Sequence, residues 1–235
     1  MSKIEWTDMT LNTSTGCEKI SAGCQNCYAE KMHSRLRSMG NWKYSFDFNT
    51  IRMWRSVLET KLPKKPKRIF VNSMADLFHD RIDFLFMLEV LEMAADNPKH
   101  TFQILTKRPE RALKFSNWMT AGKPWPSNVW LGVTVENKKE MHRIDTLKKI
   151  PAALRFISFE PLLSYVPVST EMLNGIGWVI VGAETGPGAR KMEISWVYNL
   201  ATQAIISWVP FFFKKASKGD VCPDELMVRE FPENK

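Results

Sequence analysis

The sequence predicts an α/β protein built as an incomplete parallel (β/α) barrel with six or seven units. From residue 68 onward, short apolar runs alternate with helix-like segments, and this alternation is typical of βαβ units around a parallel sheet. The apolar runs are continuous, as expected for strands that helices cover on both faces. Polar residues follow each run directly, and in a parallel barrel these positions meet at the carboxyl-terminal face, where active sites are built.

The predicted elements follow one another along the chain. A first strand precedes Cys17, and a helix extends from about Asn26 to Ser38. Six further strands are predicted at Arg68–Ser73, Thr101–Thr106, Asn128–Val135, Leu154–Phe159, Trp178–Gly182 and Pro210–Phe213. Four further helices are predicted at Asp83–Ala95, Pro109–Met119, Lys138–Lys149 and Ser195–Ser207. Pro109 suits the first turn of its helix, where the missing N–H has no intrahelical partner to lose.

Length and composition indicate one folded domain. The chain has 235 residues, of which 44% are hydrophobic and 25% charged; these fractions are typical of soluble globular proteins and exclude disordered or fibrous classes. No linker divides the chain, so we expect residues 1–235 to form a single domain. Two segments interrupt the β/α pattern: a cysteine-rich loop at 15–30 and a long aromatic and basic excursion at 40–67.

The N-terminus and the cysteines indicate a cytoplasmic protein. No apolar run approaches the roughly 20 residues needed to span a bilayer, and the first residues lack the apolar stretch of a signal peptide. Cys17, Cys24 and Cys27 lie close together near the N-terminus, whereas Cys222 is isolated near the C-terminus. This is a poor disulfide framework, and clustered thiols in a reducing compartment more often bind metal.

The formal net charge of +8 leaves two interpretations open. A basic protein can bind a nucleic acid through its phosphates, or it can carry a basic surface that aids solubility. The densest run of cations is Lys64–Arg68. If it binds nucleic acid, we expect weak, salt-sensitive binding without sequence selectivity, because phosphate contacts do not read bases.

The cysteines form the motif C-x6-C-x2-C. A C-x2-C pair brings two thiolates round one metal centre, and Cys17 supplies the third. With His33 as a fourth ligand, the set would form a structural zinc site. Alternatively, three thiolates hold a [4Fe–4S] cluster and leave one iron free for another ligand. Unmetallated buried thiols are a third interpretation, and the cysteines alone leave all three open.

Successive sequence blocks between about residues 4 and 215 resemble those of a phage and prophage protein family of uncharacterised reaction. That family is described by its three-cysteine motif and grouped with radical S-adenosylmethionine (SAM) enzymes. The blocks that carry the resemblance are Ile4–Asp8, Gly16–Glu30, Ile69–His79, Leu105–Arg111, Asn128–Glu136, Arg155–Leu163, Trp178–Arg190 and Pro210–Lys214.

The resemblance implies an enzyme of the bacterial or phage-infected cytoplasm, without a membrane partner. Cys17, Cys24 and Cys27 would hold a [4Fe–4S] cluster, and a low-potential electron donor would drive reductive cleavage of SAM to start radical chemistry on an unidentified substrate. The alternative is a zinc-stabilised nucleic-acid-binding or phage interaction module without catalysis. The common radical SAM spacing, C-x3-C-x2-C with an aromatic before the last cysteine, is not followed here. A Gly-Gly-Glu after the second strand is also missing.

The resemblance also suggests which strand ends contact SAM. The second strand end would receive the amino group of SAM, which makes Asn72, Ser73 and Asp76 candidate acceptors. The fourth strand end would meet the ribose, which suggests Thr134 and Glu136. The two carboxylates in this set have structural roles as alternatives to SAM binding. Asp76 suits a polar turn that caps the next helix, and Glu136 suits the start of a helix.

Four charged residues at other strand ends complete the set of candidates. Lys107 and Arg108 follow the third strand and would neutralise the carboxylate of SAM or a substrate phosphate. Glu160 and Glu184 would bind substrate or orient Arg108 or Arg190. A buried salt bridge is the competing interpretation for both glutamates.

Overall fold

The computed structural model describes residues 4–120 and 124–233, and within them seven parallel strands form one sheet. The strands are β1 (Met9–Leu11), β4 (Arg68–Val71), β5 (Thr101–Thr106), β6 (Val129–Thr134), β7 (Leu154–Phe159), β8 (Trp178–Gly182) and β9 (Phe211–Lys215). They lie in the sheet in the order in which they occur in the chain, and each neighbouring pair is parallel. Because β1 and β9 lie at opposite edges, the barrel is incomplete. The predicted fold class is confirmed.

Helices connect the strands. They are α1 (Tyr28–Ser38), α2 (Phe84–Ala95), α3 (Pro109–Thr120), α4 (His142–Lys148), α5 (Thr170–Leu173) and α6 (Ile194–Ile206). Polar side chains determine where several of them begin: the Asp83 carboxylate accepts from the Phe86 N–H at 2.7 Å and caps α2. Within the described residues, no helix is both long and apolar enough to cross a membrane.

The observed elements differ from the predicted ones mainly at their ends. β4 stops at Val71 because Asn72 has a left-handed φ of 62°, which a strand cannot accommodate. α4 begins at His142, later than predicted, because Asn137 first caps a short 3-10 helix at Lys138–Glu140. The helix α5 was not predicted.

The excursion at 40–67 contacts the residues that follow β1, where Lys43 Nζ donates to the Asn12 carbonyl oxygen and the Trp54 backbone N–H donates to the Thr13 carbonyl oxygen. Its strand β3 (Arg52–Met53) forms an antiparallel pair with β2 (Ser14–Thr15), just before the cysteine loop. The Trp54 indole N–H donates to Thr15 Oγ1 at 3.0 Å. This segment therefore supports the loop that carries the cysteines.

Aromatic side chains fill the amino-terminal part of the barrel interior. Trp178 lies at the centre, with its ring centroid 5.5–6.3 Å from five other aromatic rings. Those rings belong to Trp6, Trp130, Phe156, Phe212 and Phe231. Gly132 makes room for the Phe156 ring, with which a Cβ at residue 132 would collide. The carboxyl-terminal part of the interior is left for a cavity.

Candidate active site

A cavity of about 630 Å³ opens at the carboxyl ends of the strands. Trp6, Phe70 and Leu105 contribute apolar wall to it. The structure brings eleven of the predicted site residues to this cavity: Cys17, Cys24, Cys27, Asn72, Ser73, Asp76, Lys107, Arg108, Thr134, Glu160 and Glu184. Glu136 is absent from the described lining. Residues far apart in sequence thus meet at the face that the strand order predicts.

The three cysteines reach the cavity on one loop. Cys17 follows β2, Cys24 ends a 3-10 helix at Ala22–Cys24, and Cys27 immediately precedes α1. Gly16 begins the loop with a φ of 90°, where a side chain would collide with the Thr50 carbonyl oxygen. The local backbone therefore requires glycine before the first cysteine.

The environments of Cys17 and Cys24 differ in charge. Burial and the Asp76 carboxylate raise the pKa of the Cys17 thiol to about 11, although Arg108 Nη1 lies 3.7 Å from its Sγ. Burial also opposes ionisation of Cys24, but the Lys107 ammonium and hydrogen bonds from the loop hold its pKa below the ordinary value. Cys24 is therefore the easier of the two to ionise, and a bound cation would take the place of the Cys17 proton.

The donor set at the cavity is three thiols, which fits a [4Fe–4S] cluster with one iron free for another ligand. His33, the candidate fourth zinc ligand, is buried elsewhere: its Nε2 lies 2.7 Å from the Phe46 carbonyl oxygen and its ring packs against Tyr44 and Phe48. Because His33 is engaged away from the cavity, the Cys3His zinc alternative is not favoured. Across the described ranges, no three His, Cys, Asp or Glu side chains surround one metal position, and this includes the three cysteines.

Asp76 organises the segment that follows β5. Its carboxylate accepts from Thr106 Oγ1 at 2.8 and 2.9 Å and from the Lys107 N–H at 3.0 Å. It also lies 3.6 Å from the guanidinium of Arg108, and the Phe78 N–H donates to it at 3.0 Å. These contacts hold Arg108 beside Cys17, so Asp76 positions a cation at the cysteine loop.

Asn72 offers the cavity a donor instead of the acceptor that was predicted. Its Oδ1 already accepts from Thr13 Oγ1 and from the Ser14 N–H, both at 3.0 Å. Because a backbone N–H can only donate, the amide orientation is determined, and the buried Nδ2 has no partner within the described residues. Ser73 donates to Asn12 Oδ1 at 3.1 Å.

Glu136 supports the cysteine loop from below the cavity. It is fully buried and accepts from the Gly23 N–H at 3.0 Å and from Arg143 Nη1 at 2.9 Å. Burial opposes its ionisation, but Ser21, Arg143 and the Gly23 N–H hold its pKa below the usual range. Its predicted ribose contact stays a prediction. Arg143 was missed because only the folded chain shows that it faces this carboxylate.

Glu184 and Arg190 form a clasp over the turn between Cys24 and Cys27. The two side chains are paired, and Arg190 Nη2 also donates to the Ala22 carbonyl oxygen at 2.9 Å. Asn26 Nδ2 donates to Glu184 Oε2 and to the Gly188 carbonyl oxygen, both at 2.9 Å. Burial opposes ionisation of Glu184, but Arg190 and Asn26 lower its pKa to about 2. The loop after β8 therefore holds the turn between Cys24 and Cys27 in place through hydrogen bonds.

Glu160 and Lys214 form a second ion pair inside the cavity. It bridges from the end of β7 to β9 across Gly182 of β8, where an added Cβ would lie 3.4 Å from both side chains. Both glutamates therefore form the salt bridges that the sequence offered as an alternative, Glu160 with Lys214 and Glu184 with Arg190. Lys214 was not among the candidates, although its position at the end of β9 could have indicated it.

Comparisons with known proteins identify a family and two similar solved structures. A family model described as "Protein of unknown function (DUF5131)" matches residues 1–230. No curated protein matches the chain. A mutant of spore photoproduct lyase is similar in structure, with 10% sequence identity and a TM-score of 0.48 over 76% of this chain. Spore photoproduct lyase complexed with dinucleoside spore photoproduct has 10% identity and a TM-score of 0.45 over 83%. The chain spans 57% and 60% of their lengths.

Proposed function

The chain belongs to the family described as protein of unknown function DUF5131, and we propose that it is a radical SAM enzyme acting on an unidentified substrate. One observation carries the proposal: three thiols of a single loop meet the strand ends at one cavity. Cys17, Cys24 and Cys27 would hold a [4Fe–4S] cluster there. When bound, such a cluster supplies the electron that cleaves SAM into methionine and a 5′-deoxyadenosyl radical.

The residues at the end of β4, the second strand of the seven-stranded sheet, are suited to bind the carboxylate of SAM. Asn72 has a free amide N–H and no free oxygen, so it can donate to a carboxylate but cannot accept from an ammonium. Asp76 is already occupied by Thr106, Lys107 and Arg108, and its role is to hold that cationic segment in place. We therefore propose that Asn72 donates a hydrogen bond to the carboxylate of SAM, whereas the sequence predicted that it accepts one from the amino group of SAM.

Four of the remaining candidates line the cavity, and Glu136 lies outside its described lining. Ser73 and Thr134 present hydroxyl groups suited to SAM or substrate, and Glu160 reaches the cavity as part of its pair with Lys214. Glu184 acts on the cysteine turn through Asn26 and Arg190. Glu136 acts on the same loop through Gly23. Two of the predicted ligands are thus proposed as positioning residues.

The apolar wall would keep water from a radical. Trp6 and Phe70 are buried beneath the cavity, and Met32 and Leu105 line its sides. Exclusion of water limits side reactions of a reactive intermediate. The electron must come from a low-potential donor outside the chain.

Iron and sulfide analysis of anaerobically reconstituted protein tests the ligand assignment. We expect about four iron and four sulfide per wild-type chain and loss of the cluster in Cys17→Ala, Cys24→Ala and Cys27→Ala. Cys222→Ala is the matched control and should keep the cluster, because Cys222 is not among the residues lining the cavity. Colourless protein with one stoichiometric zinc, or loss of iron in the Cys222 variant alone, would contradict the proposal.

A further inference from the structure

A second cavity, of about 290 Å³, lies beside the first and shares residues with it. Ile20, Lys107 and Arg108 line both cavities. The side cavity is further lined by Asp80, Glu110, Arg111 and Lys114. We infer that this side cavity binds a phosphate group of the substrate, with a nucleotide or a nucleic acid as the proposed substrate class; the inference rests on the proposed function for the chemistry in the main cavity.

The side cavity has an excess of positive charge. Four cations line it against two carboxylates. Asp80 lies 4.0 Å from Arg111, which is itself one of these four cations, and Glu110 lies 3.7 Å from His142, which carries a charge only when protonated. In the described part of the chain, Lys107 and Lys114 have no carboxylate within 4.0 Å. Two lysine charges are therefore left for a bound anion.

The main cavity also has an excess of cations once the ion-pair partners of its carboxylates are included. Each carboxylate that lines it forms an ion pair, and these pairs are Glu5–Arg229, Glu18–Arg81, Asp76–Arg108, Glu160–Lys214 and Glu184–Arg190. Lys107 and Lys215 also line it and have no such pair among the described residues. The excess charge around both cavities is thus positive, which favours an anionic ligand.

The two arginines of the side cavity are held in fixed positions. Arg108 contacts Asp76 and Cys17, while Arg111 donates to the Ile82 carbonyl oxygen at 3.3 Å and stacks over Phe84 at 4.2 Å. Fixed guanidinium groups flanked by unpaired lysines suit a phosphate better than a single carboxylate, because a phosphate offers more acceptor oxygens and more charge. Since Lys107 lines both cavities, a phosphate bound here would place its attached group at the main cavity.

The basic run at Lys64–Arg68 is less suited to this role. It precedes β4 and so lies at the amino ends of the strands, away from the cavity face. Arg68 is also engaged, 3.5 Å from Asp8 and stacked over Phe231 at 3.8 Å. Phosphate bound there would not bring the rest of a substrate to the cysteines.

The inference is tested on the full-length protein by comparing variants that remove the two lysine charges with variants that keep them. A fluorescein-labelled twelve-residue oligothymidylate is titrated by anisotropy in a KCl series, with thymidine monophosphate as competitor. We expect K107Q/K114Q to weaken binding by about tenfold at low salt and to flatten the slope of log K against log salt by about 1.4, the value for two lost phosphate contacts on a single strand. K107R/K114R keeps the charge and should bind like wild type, and the matched control K64Q/K65Q should lose less than about twofold.

The competitor distinguishes the source of the phosphate. Displacement by thymidine monophosphate supports a nucleotide substrate, and binding of the oligomer alone supports a nucleic acid. Equal losses in both Gln pairs, or no salt-dependent binding of either probe to wild type, would overturn the inference. This readout needs no iron, so it is independent of cluster assembly. If the protein binds the probes but takes up no iron and sulfide on anaerobic reconstitution, the proposed function is refuted and phosphate binding by the side cavity still stands.

Discussion

The two ends of the barrel interior carry opposite kinds of side chain on the same strands. At the amino-terminal end, Phe156, Trp178 and Phe212 belong to a buried, mainly aromatic cluster. A few residues further along the same strands, Glu160 and Lys214 form an ion pair in the cavity. Burial of large apolar surface stabilises the first region, whereas the second keeps polar groups facing a cavity. Stability and chemistry are therefore separated along each strand.

The largest expected effect comes from the centre of the aromatic cluster. Trp178→Ala removes a fully buried side chain that touches five rings and donates to the Glu230 carbonyl oxygen at 2.9 Å. We expect the free energy of unfolding to fall by about 3 to 5 kcal/mol, as for other large core truncations. Urea denaturation measures this loss. The control Trp208→Ala, whose side chain is 93% exposed, should change it by less than about 0.5 kcal/mol; equal losses would remove the distinction.

A smaller and pH-dependent effect is expected at the clasp over the cysteine turn. The pKa of Glu184, about 2, lies below the ordinary value of 4.5, so its carboxylate stabilises the folded state above about pH 4.5. That contribution is lost as the pH falls towards 2. Glu184→Gln should therefore lower the free energy of unfolding by about 2 kcal/mol at pH 7.

Denaturation of wild type and Glu184→Gln at several pH values checks this expectation. The difference between the two proteins should be constant from pH 7 to 5 and should narrow below pH 4.5. If the difference in the free energy of unfolding does not change with pH, the Glu184–Arg190 pair stabilises the fold by packing and not by the charge of Glu184. Hydrogen exchange at residues 22–28 should rise in the variant, because the clasp holds that turn.

The fold was predictable wherever local pattern decides structure. The runs that became β5, β7 and β8 begin and end as predicted, because each is a mainly apolar segment with polar residues after it. The β2–β3 pair was not predicted, since it joins two-residue strands from separate parts of the chain. The single domain over residues 1–235 and the phage resemblance stay predictions.

The site was predictable in its membership but not in its contacts. Strand-end position was enough to select residues such as Asn72 and Glu184. Which atom of Asn72 remains free depends on Thr13 and Ser14, which precede it by more than fifty residues. The bond from Asn26 to Glu184 spans 158 residues. Such partners depend on tertiary structure and leave no local signal in the sequence.

The central claim is most directly tested by exposing the reduced, cluster-loaded protein to SAM. With dithionite as the reductant, the account predicts that SAM changes the electron paramagnetic resonance spectrum of wild type and that 5′-deoxyadenosine and methionine are formed. The Cys27→Ala variant, prepared in the same way, should form neither product. A wild-type protein that holds a full cluster, yet shows an unchanged spectrum with SAM and releases no 5′-deoxyadenosine, would contradict the account.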